Sequence, residues 1–460
     1  MTPAEFKHWG YRFVDWISDY LEHPERYPVL SQVEPGDVRK QLPSTPPTTS
    51  ESLEKVFADL DRIILPGITH WNHPSFFAYF PTTGSEPGVF AEMLIAALNV
   101  NGMLWKTSPA ATELEELVME WLRDTIGLTR EFKGMILDTA SVSTFHALAA
   151  ARECISEHSV REDGISGPGT PILRIYASEQ AHSSVEKSAM ALGLGRKGLV
   201  KIPTDSNFRM DVPALESAIA TDLKAGLRPI AVVGTVGTTS TTSVDPIPQI
   251  ADVCAKYQLW LHVDAAYAGA AAIVPEYRYL IDGCDRADSF VTNPHKWLLT
   301  PVDLSAFYCR RPEMLRQAFS LTPAYLKTSQ DDGTNFMEYT FPLGRRFRAL
   351  KLWIVMRHYG INGLQSHIRE HIRLGKLFAS LVQSDSRFEL LAPVPLSTVC
   401  FRLKNGDAAT ERLINRVNES GKIFISHTNL KGKLAARFSI GNARSTEEHV
   451  RAAWAAIASD

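Results

Sequence analysis

The stretch "SFVTNPHKWLLT", Ser289 to Thr300, sets a single lysine in an otherwise uncharged run. Its first residues, "SFVTN", read as a short apolar strand. Lys296 falls just past the strand's end, between His295 and Trp297. A lysine ammonium is among the groups least often buried, so a lysine in this setting reads as a reagent. Working outward, "LWLHVDAAY" (from Leu259) is a second such strand and ends on Asp264, 32 residues before Lys296. That gap leaves room for one strand–helix–strand excursion. "GMIL" at Gly134, "ILRIYAS" at Ile172 and "IAVVGTVGTT" at Ile230 repeat the pattern. Each precedes a helix-like run: "STFHALAAAREC", "SSVEKSAMALGL" and "IPQIADVCAKY". Short apolar strands separated by helices predict a mainly parallel α/β sheet covered by helices. Ligands on such sheets sit beyond the carboxyl ends of the strands.

The flanks read differently. Thr2, Pro3 and Glu5 carry the signature of a capping box with proline in the first turn. Phe6, Trp9, Phe13, Trp16, Ile17 and Tyr20 then recur at helical spacing, an aromatic stripe suited to packing. A second amphipathic helix follows at Leu53, Val56, Phe57, Leu60 and Ile63, and "HWNHPSFFAYFP" reads as a packed loop. The expected organisation is an N-terminal helical segment over 1–85, a large domain over 86–360 and a small C-terminal α/β domain over 361–460. "GRRFRALK" (Gly344 to Lys351) reads as the charged face of a helix. With a net charge of -3, no global field recruits nucleic acid. Five scattered cysteines without a C-x-x-C pair fit a reducing cytoplasm and argue against a zinc ribbon or disulfide scaffold. No run is apolar for long enough to span a membrane, and the N-terminus lacks the apolar core of a signal peptide.

Four polar groups fall at the predicted strand ends: Ser141, His182, Asp264 and Lys296. Singly, each has an ordinary structural explanation as a cap, a turn or a satisfied histidine. Together they match the needs of a pyridoxal phosphate enzyme. Such an enzyme requires a lysine for the Schiff base and a carboxylate against the pyridine nitrogen. It also requires a helix N-terminus with small hydroxyl residues for the phosphate, and a flat group over the ring. Lys296, Asp264, Thr139-Ala140-Ser141 and His182 supply these in turn.

The chain resembles the group II pyridoxal-phosphate decarboxylases, and within them most closely the aromatic L-amino acid decarboxylases. The likeness runs from about Phe6 to the C-terminus, through "PGITHW", "FFAYFPT", "SPAATELE", "AHSSVEK", "LHVDAAYAG", "ADSF", "NPHKWLL" and "PLGRRFRALKLW". The resemblance implies a type I, aspartate aminotransferase-like fold and an intertwined homodimer, with the N-terminal helix packed on the partner subunit. It implies that Lys296 carries the cofactor, Asp264 faces the pyridinium and His182 stacks on the ring. It places Ala140, Ser141, Asn293 and His295 at the phosphate, Ala266 beside the ring and Thr238 near its hydroxyl. Trp71, Tyr79, Phe80, Pro81 and Thr82 are implied to shape the substrate pocket, with Met103 and Leu104 reaching in from the other chain. The residue at Gly344 is implied to gate ring size, glycine admitting indoles and serine favouring phenols.

The resemblance also implies a tyrosine, six positions before Pro342, that donates a proton to Cα from a mobile loop. Phe336 occupies that position here, and Tyr339 stands where a tryptophan is expected. Phenylalanine has no proton to give. One expectation is therefore an aromatic amine as product, with Tyr339, His182 or water as donor. The alternative is an aldehyde formed by reaction with O₂. A third reading, a non-catalytic paralogue that binds the cofactor for structure, has no use for Asp264 as part of an electron sink.

Overall fold

Strand burial explains the core. All five residues of Trp260–Asp264 and all four of Ser289–Thr292 are buried, as expected for strands covered on both faces. The computed structural model describes all residues except 81, 83, 156–159, 168, 322–332 and 460. The chain divides into two compact units. The larger comprises Thr82–Arg373 and Ala392–Leu396; the other comprises Met1–Pro81, Leu374–Leu391 and Ser397–Asp460.

The larger unit holds seven strands: β1 (Lys133–Leu137), β2 (Leu173–Ser178), β3 (Leu199–Ile202), β4 (Arg228–Thr235), β5 (Trp260–Asp264), β6 (Ser289–Thr292) and β7 (Ser305–Cys309). Their spatial order is β1-β7-β6-β5-β4-β2-β3. Strands β3, β2, β4, β5 and β6 pair in parallel. β7 runs antiparallel between β6 and β1, so β1 points the same way as the parallel set. The carboxyl ends of β1, β2, β4, β5 and β6 therefore share one edge. The helix Ala140–Glu153 follows β1, with Thr139 as its N-cap, and most of its residues are buried. β3 and β7 have no counterpart in the sequence reading. "LVKI" is only four residues long, and only the single helical turn Pro294–Trp297 separates β7 from β6.

In the other unit the helix Pro3–Glu22 begins as its sequence predicts. Thr2 accepts the Glu5 N–H, and the Glu5 carboxylate accepts the Thr2 N–H. Its aromatic stripe is partly engaged: Trp9 stacks on Phe57 at 5.4 Å, and Trp16 donates to Asp61. No residue of this helix is buried, and Phe6 and Tyr11 are exposed. Four further strands, β8 (Phe388–Leu390), β9 (Thr398–Leu403), β10 (Ser426–Leu430) and β11 (Lys433–Ser439), form an antiparallel sheet in the order β10-β11-β9-β8. The helices Asp407–Glu419 and Glu447–Ala458 belong to the same unit.

"GRRFRALK" is not the charged face of a helix. The helix begins only at Ala349, and Arg345 is buried in an ion pair with Glu115 while also donating to the Ile136 carbonyl. Lys351 is fully buried against Glu92 at 2.6 Å. Acidic partners distant in the sequence draw these cations inward, because a buried charge survives only when paired.

Candidate active site

Asp264 is the last residue of β5, and Thr235 of β4 is its neighbour in register. Asp264 is 5% exposed. Its Oδ1 accepts the Ala266 N–H at 3.1 Å, and its Oδ2 accepts nothing among the described residues. The loops after β5 and β6 are tied together, with Asn293 N–H donating to the Ala266 carbonyl at 2.9 Å. A single turn, Pro294–Trp297, follows and carries Lys296. Beside Lys296 the turn is anchored by Trp297, which stacks on Tyr267 at 4.4 Å and donates to His371 at 3.0 Å. The lysine thus sits half-buried on a rigid support, among groups that do bury.

His182 lies in the turn after β2, at the same edge. Its Nδ1 accepts from both the N–H (3.2 Å) and the hydroxyl (2.8 Å) of Ser184, so the neutral ring carries its proton on Nε2. Burial is the largest influence holding its pKa below the ordinary value. Lys296 and Lys187 add to that depression, and Asp264 opposes it. Lys296 and Asp264 are therefore both close enough to act on the same imidazole.

The phosphate candidates form a donor cluster. Thr139 caps its helix by accepting the Val142 N–H. Among the described residues nothing accepts the amide hydrogens of Ala140 and Ser141, two of the orphan donors of a helix start. His295 Nδ1 accepts the Leu304 N–H at 2.9 Å, and burial pushes its pKa down to about 4. The neutral ring then bears its proton on Nε2, 3.3 Å from Asn293 Nδ2. Two N–H donors that close cannot satisfy one another, and both call for an acceptor. Asn293 is fixed in turn by Ser305, whose hydroxyl donates to Oδ1 at 2.7 Å and lies 2.9 Å from that of Ser143. A helix start beside converging neutral donors suits a phosphate, so the residues present fit pyridoxal phosphate. Thr238 is fully buried, accepts the Ser243 N–H at 3.1 Å and lies 3.0 Å from the Thr241 hydroxyl.

Gly344 is exposed and sits against Asn101. A Cβ built on it would meet nothing closer than Asn101 Nδ2 at 3.7 Å. Arg345 N–H donates to Asn101 Oδ1, and Gly102 N–H to the Arg345 carbonyl, both at 2.9 Å. Met337 N–H reaches the Met103 carbonyl at 3.1 Å, and Leu104 and Met337 pack together. Gly344, Met103 and Leu104 thus belong to one local assembly. Phe336 does not face the carboxyl edge. It is 3% exposed, shares a core cluster with Met135 and lies under the Arg345 guanidinium at 4.7 Å. With Tyr339, Glu116, Glu120 and the first residues of β1 it lines a cavity of about 440 Å³, at the end of β1 remote from Ala140.

In the other unit Trp71 stacks on Phe76 and Tyr79, and Arg437 lies over Phe80. Thr82 is half-buried, and Pro81 lies outside the described residues. The sequence reading missed Asp138, Asp303 and Arg348, which lie behind the phosphate candidates. The only available signal was an arginine-rich motif with no stated partner.

A parallel sheet with a lysine, an aspartate and a helix start at its carboxyl edge defines the type I class of pyridoxal-phosphate enzymes. The sequence profile of the pyridoxal-dependent decarboxylase conserved domain matches residues 35–404. The chain belongs to this family and is a pyridoxal-phosphate-dependent carboxy-lyase. It is 43% identical to the aromatic-L-amino-acid decarboxylase of Cavia porcellus, over 99% of this chain and 97% of that one. The crystal structure of Oryza sativa TDC with PLP and tryptamine superposes with a TM-score of 0.95 at 38% identity, covering 99% and 97% of the two chains. The Rhodiola rosea 4-hydroxyphenylacetaldehyde synthase superposes with a TM-score of 0.92 at 34% identity, covering 99% and 98%.

Proposed function

We propose that the chain decarboxylates aromatic L-amino acids to the corresponding amines. The observation that carries the chemistry is the placement of Lys296, Asp264 and His182 at one sheet edge, with both charges acting on His182. The aromatic substrate class is supported by the relatives named above. When bound, pyridoxal phosphate supplies the electron-accepting ring.

The chain's residues do the rest. Lys296 would hold the cofactor through its Nζ until a substrate amine takes its place. Asp264 Oδ2 would accept a hydrogen bond from the ring N–H and so keep that nitrogen protonated. Asn293, His295 and the amides of Ala140 and Ser141 would hold the phosphate, with Ala266 and Thr238 placed for the ring. His182 would stack on the ring, and its Nε2 carries a proton that could be delivered to Cα. Gly344 leaves space for a two-ring side chain.

The active species is a homodimer in a cytoplasmic setting. Phe6, Tyr11, Phe13 and Val14 of the first helix, and Phe90, Met93, Leu94 and Leu98 of the helix Glu86–Leu98, leave apolar surface uncovered in one chain. In that dimer Met103 and Leu104 reach the partner's site, and Gly344 comes with them.

The second reading, an aromatic acetaldehyde as product, is supported by the Rhodiola neighbour. Phe336 is a core residue, however, and a ring so placed protonates nothing. Its identity therefore does not choose between protonation and oxidation, and the amine is the favoured product. The test is mass spectrometry of products from tryptophan, phenylalanine, tyrosine, dopa and glutamate, in air and without O₂. Amine in both conditions supports the proposal; aldehyde with peroxide in air would overturn it in favour of the second reading, and turnover confined to glutamate would reject both.

A further inference from the structure

Two separate loops carry the phosphate candidates. One leaves β1 through Asp138 into Thr139, Ala140 and Ser141. The other enters β7 through Asp303, Leu304 and Ser305, and it fixes both Asn293 and His295: the Leu304 N–H holds His295 Nδ1, and the Ser305 hydroxyl holds Asn293 Oδ1. Arg348 stands between the loops. Its Nε and Nη2 donate to the two oxygens of Asp303 at 3.0 and 3.1 Å, and Nη2 lies 3.5 Å from Asp138 Oδ1. The side chain is only 13% exposed. Lys351 adds a second cation 4.0 Å from Asp303.

We infer that Arg348 is a positioning residue for the cofactor phosphate: its guanidinium joins the Asp138 loop to the Asp303 loop and so sets the spacing between the two halves of the phosphate cradle. The inference rests on the assignment of Ala140, Ser141, Asn293 and His295 to that cradle. A planar fork held at both carboxylate oxygens of Asp303 fixes direction as well as distance, which a lysine ammonium cannot do. The guanidinium touches neither loop's phosphate donors directly, so its effect passes through the two aspartates. Asp303 adjoins Leu304, and Asp138 adjoins the cap Thr139. A loosened bridge lets the donors drift apart while each stays folded on its own strand.

The experiment compares pyridoxal phosphate with pyridoxal, which lacks the phosphate. Holoenzyme is freed of cofactor by dialysis, and each compound is titrated back by its visible absorbance and by protein fluorescence. For Arg348→Gln, losing charge-assisted bonds should raise the dissociation constant for pyridoxal phosphate about tenfold or more. That for pyridoxal should stay within about twofold, since Lys296, Asp264 and His182, which are assigned to the ring, are left unchanged. Arg348→Lys should fall between wild type and Arg348→Gln, and Asp138→Asn should show the same selectivity as Arg348→Gln if the latter fails to fold. Asn293→Ala is the control for the cradle itself. If Asn293→Ala weakens pyridoxal phosphate selectively while Arg348→Gln and Asp138→Asn weaken both compounds equally or neither, the bridging role is wrong. If Asn293→Ala is also unselective, the cradle assignment is wrong, and the bridge falls with it.

Discussion

Asp264→Asn separates what Asp264 does for the fold from what it does for the chemistry. The Ala266 N–H needs an acceptor at 3.1 Å, and the amide oxygen of asparagine can take that place. The amide NH₂ then occupies the position of Oδ2 and presents donors where the carboxylate presented an acceptor. The ring nitrogen loses the partner that keeps it protonated, yet gains a hydrogen bond in its unprotonated form. Cofactor binding should therefore survive. The chemical step should lose at least one charge-assisted hydrogen bond, worth about 1.5–3 kcal/mol, or roughly 10- to 150-fold in kcat at about 1.4 kcal/mol per decade. Asp264→Ala should fall further, since it also leaves the buried Ala266 N–H unpaired at about 1–3 kcal/mol of stability. The assay is single-turnover decarboxylation of tryptophan with the cofactor content measured on the same sample. A decrease under tenfold in Asp264→Asn at full cofactor occupancy would refute the role given to Oδ2.

Lys296→Ala should abolish turnover and remove the borohydride-fixable visible absorbance from the protein; wild-type turnover in that variant would dismiss the lysine. Gly344→Ser has room for its Cβ against Asn101, so it should fold normally and shift the kcat/KM ratio from tryptophan towards tyrosine, and an unchanged ratio removes Gly344 from the pocket. Burial pushes His146, His262 and His295 down to about 4. The unfolded chain therefore binds protons that the folded chain refuses, and stability present above pH ~6.5 is lost as pH falls towards ~4, by roughly 3 kcal/mol per histidine as an upper bound. Thermal unfolding from pH 8 to pH 4 checks this: a melting temperature flat between about pH 6.5 and 4.5 would contradict those buried, neutral rings.

Local rules made much of the molecule legible. Thr2, Pro3 and Glu5 announce a helix start because a capping box needs only residues three apart. The runs around Asp264 and Lys296 announce strand ends because strands covered on both faces are apolar throughout. A lysine just beyond such an end has few structural excuses, so the chemistry followed from the sequence too.

Other features depended on partners that the sequence does not announce. Arg345 and Glu115 are 230 residues apart, and nothing local to "GRRFR" says that two of its arginines turn inward. Phe336 reads as a loop residue from its neighbours, but its burial is set by Met135 and Arg345 across the sheet. The antiparallel direction of β7 likewise comes from its pairing with β1 and β6. The sequence determined which residues could do chemistry, because identity and short-range periodicity are written in it. The tertiary structure alone decided which of them meet and which are buried, because both depend on contacts between distant segments.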